Sequence, residues 1–133
     1  MIYLDANVFI YPVIDNDKRA DFYRKIIYDV VSGKIQACTS VLTWDEVIHY
    51  LIKEKGKSFA LTQSEKFLKL PKLYFIETSS SIIFKAHQLM KMYEVNPRDA
   101  IHVATALSCK SDKIITEDKG FDKIKEIKRT GFK

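Results

Sequence analysis

Short apolar runs alternate with amphipathic helical stretches along the whole chain, and this alternation constrains the fold more than any other feature. Strands are predicted at residues 2–5, 35–39, 73–76 and 114–115, with a short fifth strand at 126–129. Helices are predicted at 22–31, 43–55, 57–70, 82–93 and 97–107, and the residues around Pro12 and 15–17 are predicted to form a loop. Strand–helix–strand crossovers are right-handed and cover both faces of a sheet. The pattern therefore predicts an α/β fold, a three-layer α/β/α sandwich around a central, mostly parallel sheet of four to five strands.

Length and composition narrow the class further. Residues 1–133 are predicted to form a single domain, because this length supports one core but is too short for two. The net charge of +5 suits a polyanionic partner, although a well-solvated lysine-rich surface explains it equally well. The longest uncharged runs are far shorter than the roughly 20 residues that span a bilayer, which predicts a cytoplasmic protein without a membrane partner. Cys38 and Cys109 are predicted to be buried small hydrophobic residues in a reducing compartment.

Four acids stand where predicted strands end or predicted helices begin: Asp5, Glu46, Asp99 and Asp118. In open parallel sheets, ligands bind beyond the carboxyl ends of the strands, at the point where the strand order reverses. If the first and fourth strands are neighbours, with the second and third beyond the first, that point lies between them. All four acids are then expected to face one crevice.

Three of these acids also have a purely structural explanation. Glu46 fits a capping box with Thr43. Asp99 fits the first turn of a capped helix, and Asp118 fits a turn. Asp5 has no such explanation, since ending a strand needs no acid. Because converging carboxylates repel one another, the set predicts an oxygen site for Mg²⁺ or Mn²⁺, which polarises a phosphodiester and activates water for in-line attack.

The same repulsion gives an expectation about stability. Two carboxylates roughly 6 Å apart, at an effective dielectric constant of about 20, repel by about 2 to 3 kcal/mol. We therefore expect Asp5→Asn to abolish cleavage and yet to make the metal-free protein more stable by about 1 kcal/mol, since the amide keeps the shape and removes one charge.

Four segments carry a family resemblance across essentially the whole chain. They are Leu4–Asn7, the helix-borne Glu46, Arg98–Ala106, and Thr116–Asp118 followed by Phe121. In this order and spacing they resemble a PIN domain, and more narrowly the VapC-like toxins of toxin–antitoxin pairs. The resemblance implies a Mg²⁺- or Mn²⁺-dependent endoribonuclease that hydrolyses phosphodiester bonds of single-stranded RNA. It also implies a homodimer that is held inactive by a small antitoxin protein.

The resemblance assigns roles by position. It places the catalytic set at Asp5, Glu46, Asp99 and Asp118, and the metal ligands at Asp5, Asp99 and Asp118. Asn7 and Thr116 are predicted to support these acids. Asp122 is predicted either to add a peripheral or water-mediated ligand or to pair with nearby lysines.

Several other residues are weaker candidates for contacts with RNA. Trp44 is interpreted either as a stacking platform for a base or as a helix anchor. Arg98, Lys119 and Lys123 lie near the acids in sequence and are candidates for binding backbone phosphate, although lysines at such density are often only solvated.

Three alternative functions stay open at the level of sequence. Glu46 with His49, and Asp99 with His102, have the spacing of carboxylate–histidine ligands in di-iron helical bundles, but the predicted strands disfavour a bundle. His102 is instead expected to pack beside the site. The second alternative is a PIN-type nuclease that acts on DNA flaps or in RNA processing. The third is an inactive scaffold that binds RNA or protein, which the complete acid set disfavours.

Overall fold

The computed structural model describes residues 1–133, with a five-stranded sheet and six α-helices. The strands are β1 Ile2–Leu4, β2 Ala37–Ser40, β3 Leu73–Ile76, β4 Lys113–Ile115 and β5 Lys128–Thr130. The helices are α1 Ala6–Ile14, α2 Lys18–Val31, α3 Thr43–Lys55, α4 Lys57–Leu68, α5 Ser80–Met92 and α6 Pro97–Ser108, and a 3₁₀ helix spans Lys119–Lys123. No helix combines the length and the apolar character needed to cross a membrane.

Every pair of neighbouring strands is parallel, and the strand order is β3-β2-β1-β4-β5. Strands β2 and β3 lie on one side of β1, and β4 and β5 lie on the other, so the strand order reverses at β1. Both the α/β class and the predicted neighbours of the first strand are confirmed. The carboxyl ends of β1 and β4 therefore define the crevice in which a ligand is expected.

Helices cover both faces of the sheet because successive strand residues point to opposite faces. Leu4 belongs to a core formed with α1 to α4, in which Phe9, Leu51 and Phe67 pack. Tyr3 belongs to a second core, formed with α5 and α6. Both strand residues are almost fully buried, so β1 is the central strand of a three-layer sandwich.

The loop predicted around Pro12 is wrong, because Pro12 lies inside helix α1, whereas residues 15–17 do form the connection between α1 and α2. Proline was taken as a helix breaker, and Pro12 does remove one backbone hydrogen bond, but it lies in the last turn and the helix ends two residues later. The guanidinium of Arg24 donates to the carbonyl oxygens of Pro12 and Asp15, at 2.8 and 3.0 Å. These contacts satisfy groups that the helix end leaves unpaired. The other predicted boundaries differ from the observed ones by a few residues.

Helix α6 has well-defined signals at both ends. Asn96 caps its first turn by accepting from the Asp99 N–H, and Pro97 occupies the first helical position. At the other end, Lys110 has a left-handed backbone with φ of 54°. The N–H of Lys110 donates to Leu107 O and that of Ser111 to Ala106 O, which is the Schellman pattern. The chain thus folds back over the end of α6 through a residue that is not glycine.

Replacing Lys110 by glycine is expected to stabilise the protein. Glycine adopts positive φ without the steric penalty of a side chain, and this gain exceeds the entropy it adds to the unfolded chain, for a net of roughly 0.5 to 1 kcal/mol. Urea unfolding of Lys110→Gly against Lys110→Ala checks this, because alanine removes the same charge and keeps the strain. A glycine variant no more stable than the alanine variant would contradict the assignment.

Candidate active site

One cleft at the carboxyl ends of β1 and β4 collects the four acids. Its volume is about 430 Å³, and Asp5, Glu46, Asp99 and Asp118 are all among its lining residues. They come from four separate places: the end of β1, the first turns of α3 and α6, and the start of the 3₁₀ helix. The parallel sheet and its strand order bring these elements to the same edge. The structure thus juxtaposes the acids, while their catalytic roles stay a prediction.

Asp5 is 6% exposed, and both of its carboxylate oxygens accept hydrogen bonds. Oδ1 accepts from the Ala6 N–H at 2.8 Å, which makes Asp5 the N-cap of α1. Oδ2 accepts from the Thr116 hydroxyl at 2.7 Å. The expectation that Asp5 has no structural role is therefore wrong, because the helix that it caps was itself not predicted.

The Thr116 hydroxyl connects three parts of the site. It donates to Asp5 and accepts from the side-chain amide of Asn7 at 3.1 Å and from the Asp118 N–H at 3.1 Å. Thr116 is fully buried, so these three bonds use its whole hydrogen-bonding capacity. Asn7 and Thr116 thus fix the orientation of Asp5, as supporting residues would.

Glu46 bonds to a histidine rather than to its own helix. The N-cap of α3 is Leu42, no side chain caps this helix, and the Thr43 hydroxyl bonds to Thr39 instead. The capping box proposed for Glu46 is therefore absent. Glu46 Oε1 instead pairs with Nε2 of His102, a residue 56 positions away on α6.

His102 is 1% exposed and lies at the centre of a buried polar cluster. Its Nδ1 is 2.5 Å from the Tyr3 hydroxyl, and its Nε2 is 3.4 Å from Asp5 Oδ1. Burial alone lowers the pKa of His102, but the charges of Asp5 and Glu46 outweigh burial and raise it. A proton is thus held on Nε2, facing the two carboxylates. Since that nitrogen has no free lone pair, His102 packs beside the acids and orients them, as expected.

Asp99 shows that the negative charge in the cleft is not balanced. Burial, followed by the charges of Asp118 and Asp5, raises the pKa of Asp99 to about 6. The basic groups that line the cleft, Arg98 and Lys53, do not reverse this shift. Asp118 is exposed, and its Oδ1 accepts from the Gly120 N–H at 2.8 Å, so it also caps the 3₁₀ helix.

The donor set fits a hard divalent cation. Carboxylate oxygens of Asp5 and Glu46 lie within 4.8 Å of one another, and Asp99 and Asp118 add carboxylates to the same cleft. Mg²⁺ and Mn²⁺ prefer such oxygen ligands, and a cation would relieve the repulsion that raises the pKa of Asp99. The di-iron interpretation is wrong, because the acids sit at the edge of a parallel sheet and not inside a helical bundle.

Other predicted residues lie outside the cleft. Asp122 is held by Arg129, whose Nε lies 2.6 Å from Asp122 Oδ1, and this pairing lowers the pKa of Asp122. Lys123 donates to the Glu94 carbonyl at 2.5 Å. Trp44 and Lys119 are exposed and are not among the lining residues, whereas Arg98 is one of them.

The rim of the cleft was not predicted. Tyr11, His49, Tyr50 and Lys53 line it together with the acids. Tyr11 was hidden because α1 was taken as a loop. Tyr50 and Lys53 follow Glu46 by four and seven residues, so the helical period that places them on the face of Glu46 was a usable signal.

Comparisons with known proteins give a family and a shared fold. A family model described as PIN domain matches residues 2–127. No curated protein sequence matches the chain. Among solved structures, VapBC2 from Rickettsia felis bound to a promoter DNA fragment has a TM-score of 0.76 at 20% identity and covers 98% of both chains. DNA-bound VapBC from Salmonella typhimurium has a TM-score of 0.75 at 18% identity, covering 97% of this chain and 96% of its own.

A third similar structure is VapC20 from Mycobacterium tuberculosis, described as a Sarcin-Ricin loop cleaving toxin. Its TM-score is 0.73 at 14% identity, and the match covers 92% of this chain and 93% of that one. At such low identity these structures show a shared fold.

Asn substitutions at Asp5 and Asp99 are expected to change stability in opposite directions. Both remove one charge from the same cleft. In Asp5→Asn, the side-chain NH₂ must face one of two donors, the Ala6 N–H or the Thr116 hydroxyl. Because that donor is then left unpaired, the substitution is expected to lower the free energy of unfolding by about 1 to 3 kcal/mol. This reverses the sequence-based expectation for Asp5. Asp99→Asn relieves repulsion and is expected to stabilise the metal-free protein by about 1 kcal/mol at pH 7.5, after discounting for solvent screening.

The pH dependence separates repulsion from other effects of the Asp99 substitution. Because the folded pKa of about 6 lies above the ordinary value of 3.8, the folded state binds more protons than the unfolded state between these values. The contribution of Asp99 to stability therefore falls as the pH rises from about 4 through about 6. Urea unfolding in EDTA at pH 4, 5, 6 and 7.5 should show the benefit of Asp99→Asn growing over this range. A benefit independent of pH, or both variants shifting alike, would contradict the account.

Proposed function

Because the chain belongs to the PIN domain family, we propose that it is a Mg²⁺- or Mn²⁺-dependent endoribonuclease that hydrolyses phosphodiester bonds of single-stranded RNA. The observation that carries this proposal is the convergence of four carboxylates on one cleft, where burial, followed by the charges of Asp118 and Asp5, raises the pKa of Asp99 to about 6. Carboxylates that repel one another in a cleft are typical of a site that binds a cation needed for the reaction. The shared fold with VapC toxins supports a toxin rather than a scaffold.

Asp5, Asp99 and Asp118 would hold the cation. When bound, it supplies Lewis-acid polarisation of the scissile phosphate and a nucleophile at neutral pH. Asp5 reaches the cleft already oriented, since Ala6 and Thr116 fix its two oxygens. Asp118 is tied to the same hydroxyl through its own N–H, so the two acids keep a fixed relation to each other.

Glu46 is the proposed proton acceptor. The Nε2–H of His102 binds Oε1 of Glu46 and so orients the carboxylate, while the other oxygen, Oε2, is free to take the proton of attacking water. The Tyr3 hydroxyl holds the other ring nitrogen of His102 and accepts from the Ser40 N–H at 3.1 Å. Through these buried hydrogen bonds, Glu46 is fixed to the protein core.

The rim of the cleft suits a single-stranded polyanion. Lys53 and Arg98 line the cleft together with the acids and would bind backbone phosphate, and Tyr50 would offer a ring on which a base can stack. Arg98 also lies 3.7 Å from Asp45, a distance that leaves its exposed guanidinium available to phosphate. Trp44, Lys119 and Lys123 stay candidates for RNA farther from the scissile bond.

We also propose that the protein is the toxin of a cytoplasmic toxin–antitoxin pair and forms a homodimer. The solved structures from Rickettsia felis and Salmonella typhimurium are VapBC assemblies, which supports a protein partner for this fold. An antitoxin arginine would bind the cation-free carboxylates bidentately and so block the cleft. Phe84 on α5 is 72% exposed and Met92 is 62% exposed, and apolar surface of this kind is typical of a protein interface.

The proposal predicts RNA products with 5′-phosphate and 3′-hydroxyl ends, formed only with Mg²⁺ or Mn²⁺. Attack by water gives these ends, whereas attack by the RNA 2′-hydroxyl gives a cyclic phosphate. Mapping the ends of a cleaved single-stranded RNA, with and without EDTA, measures both features. Cyclic phosphate ends, or cleavage that persists in EDTA, would contradict the mechanism.

Matched carboxamide variants locate the chemistry. Asp99→Asn and Asp118→Asn are expected to reduce cleavage by at least about 100-fold, since each removes a proposed ligand. Asp122→Asn is the control, because Asp122 pairs with Arg129 outside the cleft and its loss should change the rate less than about threefold. Equal losses in all three variants would mean that the acids act through folding.

A further inference from the structure

Two thiols meet on the α6 side of the sheet, away from the acids. Cys38 lies in β2, Cys109 is the C-cap residue of α6, and their Sγ atoms are 2.7 Å apart. A disulfide bond measures about 2.05 Å, so the sulfur atoms need to move together by only about 0.6 Å. The sequence correctly predicted that Cys38 is buried but did not predict this contact, because the residues are 71 positions apart.

A hydroxyl group completes the cluster. Ser111 Oγ lies 3.2 Å from Cys109 Sγ and 3.5 Å from Cys38 Sγ. It is placed there by the Schellman turn at the end of α6, in which Lys110 takes a left-handed conformation and returns Ser111 over the helix end. The three groups therefore come from a strand, a helix end and a turn that the backbone fixes relative to one another.

The two sulfur atoms have different environments. Cys38 is fully buried, whereas Cys109 is partly exposed and can be reached by a small molecule from solvent. The contact with Cys38 and the hydrogen bond from Ser111 lower the pKa of Cys109, while the pKa of Cys38 is raised. Because it is the accessible sulfur, Cys109 is assigned as the thiol that reacts first, and buried Cys38 is placed to attack it in turn.

We propose that Cys38 and Cys109 form an oxidative modification site, at which a peroxide converts the two thiols into an intramolecular disulfide bond. The Cys109 thiolate attacks one peroxide oxygen, the O–O bond breaks, hydroxide leaves, and Cys109 becomes a sulfenic acid. The Cys38 sulfur then attacks the Cys109 sulfur and the S–O bond breaks, with loss of water. In sum, two thiols and one hydrogen peroxide give one disulfide and two water molecules. A dithiol reductant reverses the change.

The bond would join β2 to the far end of α6. Asp99 lies ten residues before Cys109, about 15 Å along the helix axis, so the modification leaves the acids in place. It restrains the unfolded chain over a long loop and is expected to raise the melting temperature by roughly 5 to 10 °C.

The test treats the folded protein with hydrogen peroxide, unfolds it, labels free thiols with a maleimide and records the intact mass. Loss of two hydrogen atoms with no labelled thiol is the expected result, together with a higher melting temperature and full reversal by a dithiol. The urea-unfolded chain, given the same peroxide, should form the bond at least about tenfold more slowly, because only the folded protein holds the sulfur atoms together. Two labelled thiols after treatment, equal rates in both states, or a bond between two chains on a non-reducing gel would overturn the proposal.

Single-cysteine variants exclude other oxidations. Cys38→Ala is expected to gain oxygen at Cys109 without losing two hydrogen atoms, and to show no rise in melting temperature. Cys109→Ser changes the partly exposed position and keeps the core intact, so it serves if Cys38→Ala folds poorly, and its buried Cys38 should stay reduced. Oxidation of Cys38 at the wild-type rate in this variant would overturn the assigned order of attack.

Discussion

The burial of the Asp5 carboxylate at the end of the central strand, β1, is the constraint on which the rest of the site depends. A buried carboxylate costs several kcal/mol unless donors meet its oxygens. One donor is the first N–H of α1, which requires the chain to turn into a helix immediately after β1. The other is the Thr116 hydroxyl, which lies 111 residues later and arrives only because β4 pairs directly with β1. Satisfying one acid therefore specifies a helix start, a strand neighbour and the position of the turn that carries Asp118.

The cleft places function and stability in opposition. Hydrogen-bond donors match the oxygens of Asp5, but burial and then the neighbouring acids raise the pKa of Asp99 to about 6. The proton on His102 offsets part of the negative charge in the cleft. His102 also binds Glu46 within a buried series of hydrogen bonds. Residual repulsion of this kind favours binding of a cation and lowers the stability of the cation-free fold.

The local and periodic features were predictable from sequence, whereas contacts between distant residues were not. Alternating strands and helices specified the sheet, and the start of α6 followed from Asn96 and Pro97. Helix α1 was not predicted, because Pro12 was read as a helix breaker and Asp5 was not recognised as a cap. The structural role of Asp5 was missed for the same reason. No local pattern indicates that Glu46 binds His102 or that Cys38 meets Cys109, since these pairs depend on how α6 packs against β2 and α3.

Binding of Mn²⁺ tests the carboxylate site most directly and needs no substrate. It is measured through the loss of the electron paramagnetic resonance signal of the free ion. We expect saturable binding that Mg²⁺ displaces and that Asp99→Asn weakens by about 10- to 100-fold. Asp122→Asn, with its carboxylate held by Arg129, should bind as the wild type does. No saturable binding by the wild-type protein, or equal weakening in both variants, would contradict the claim that these acids form a cation site.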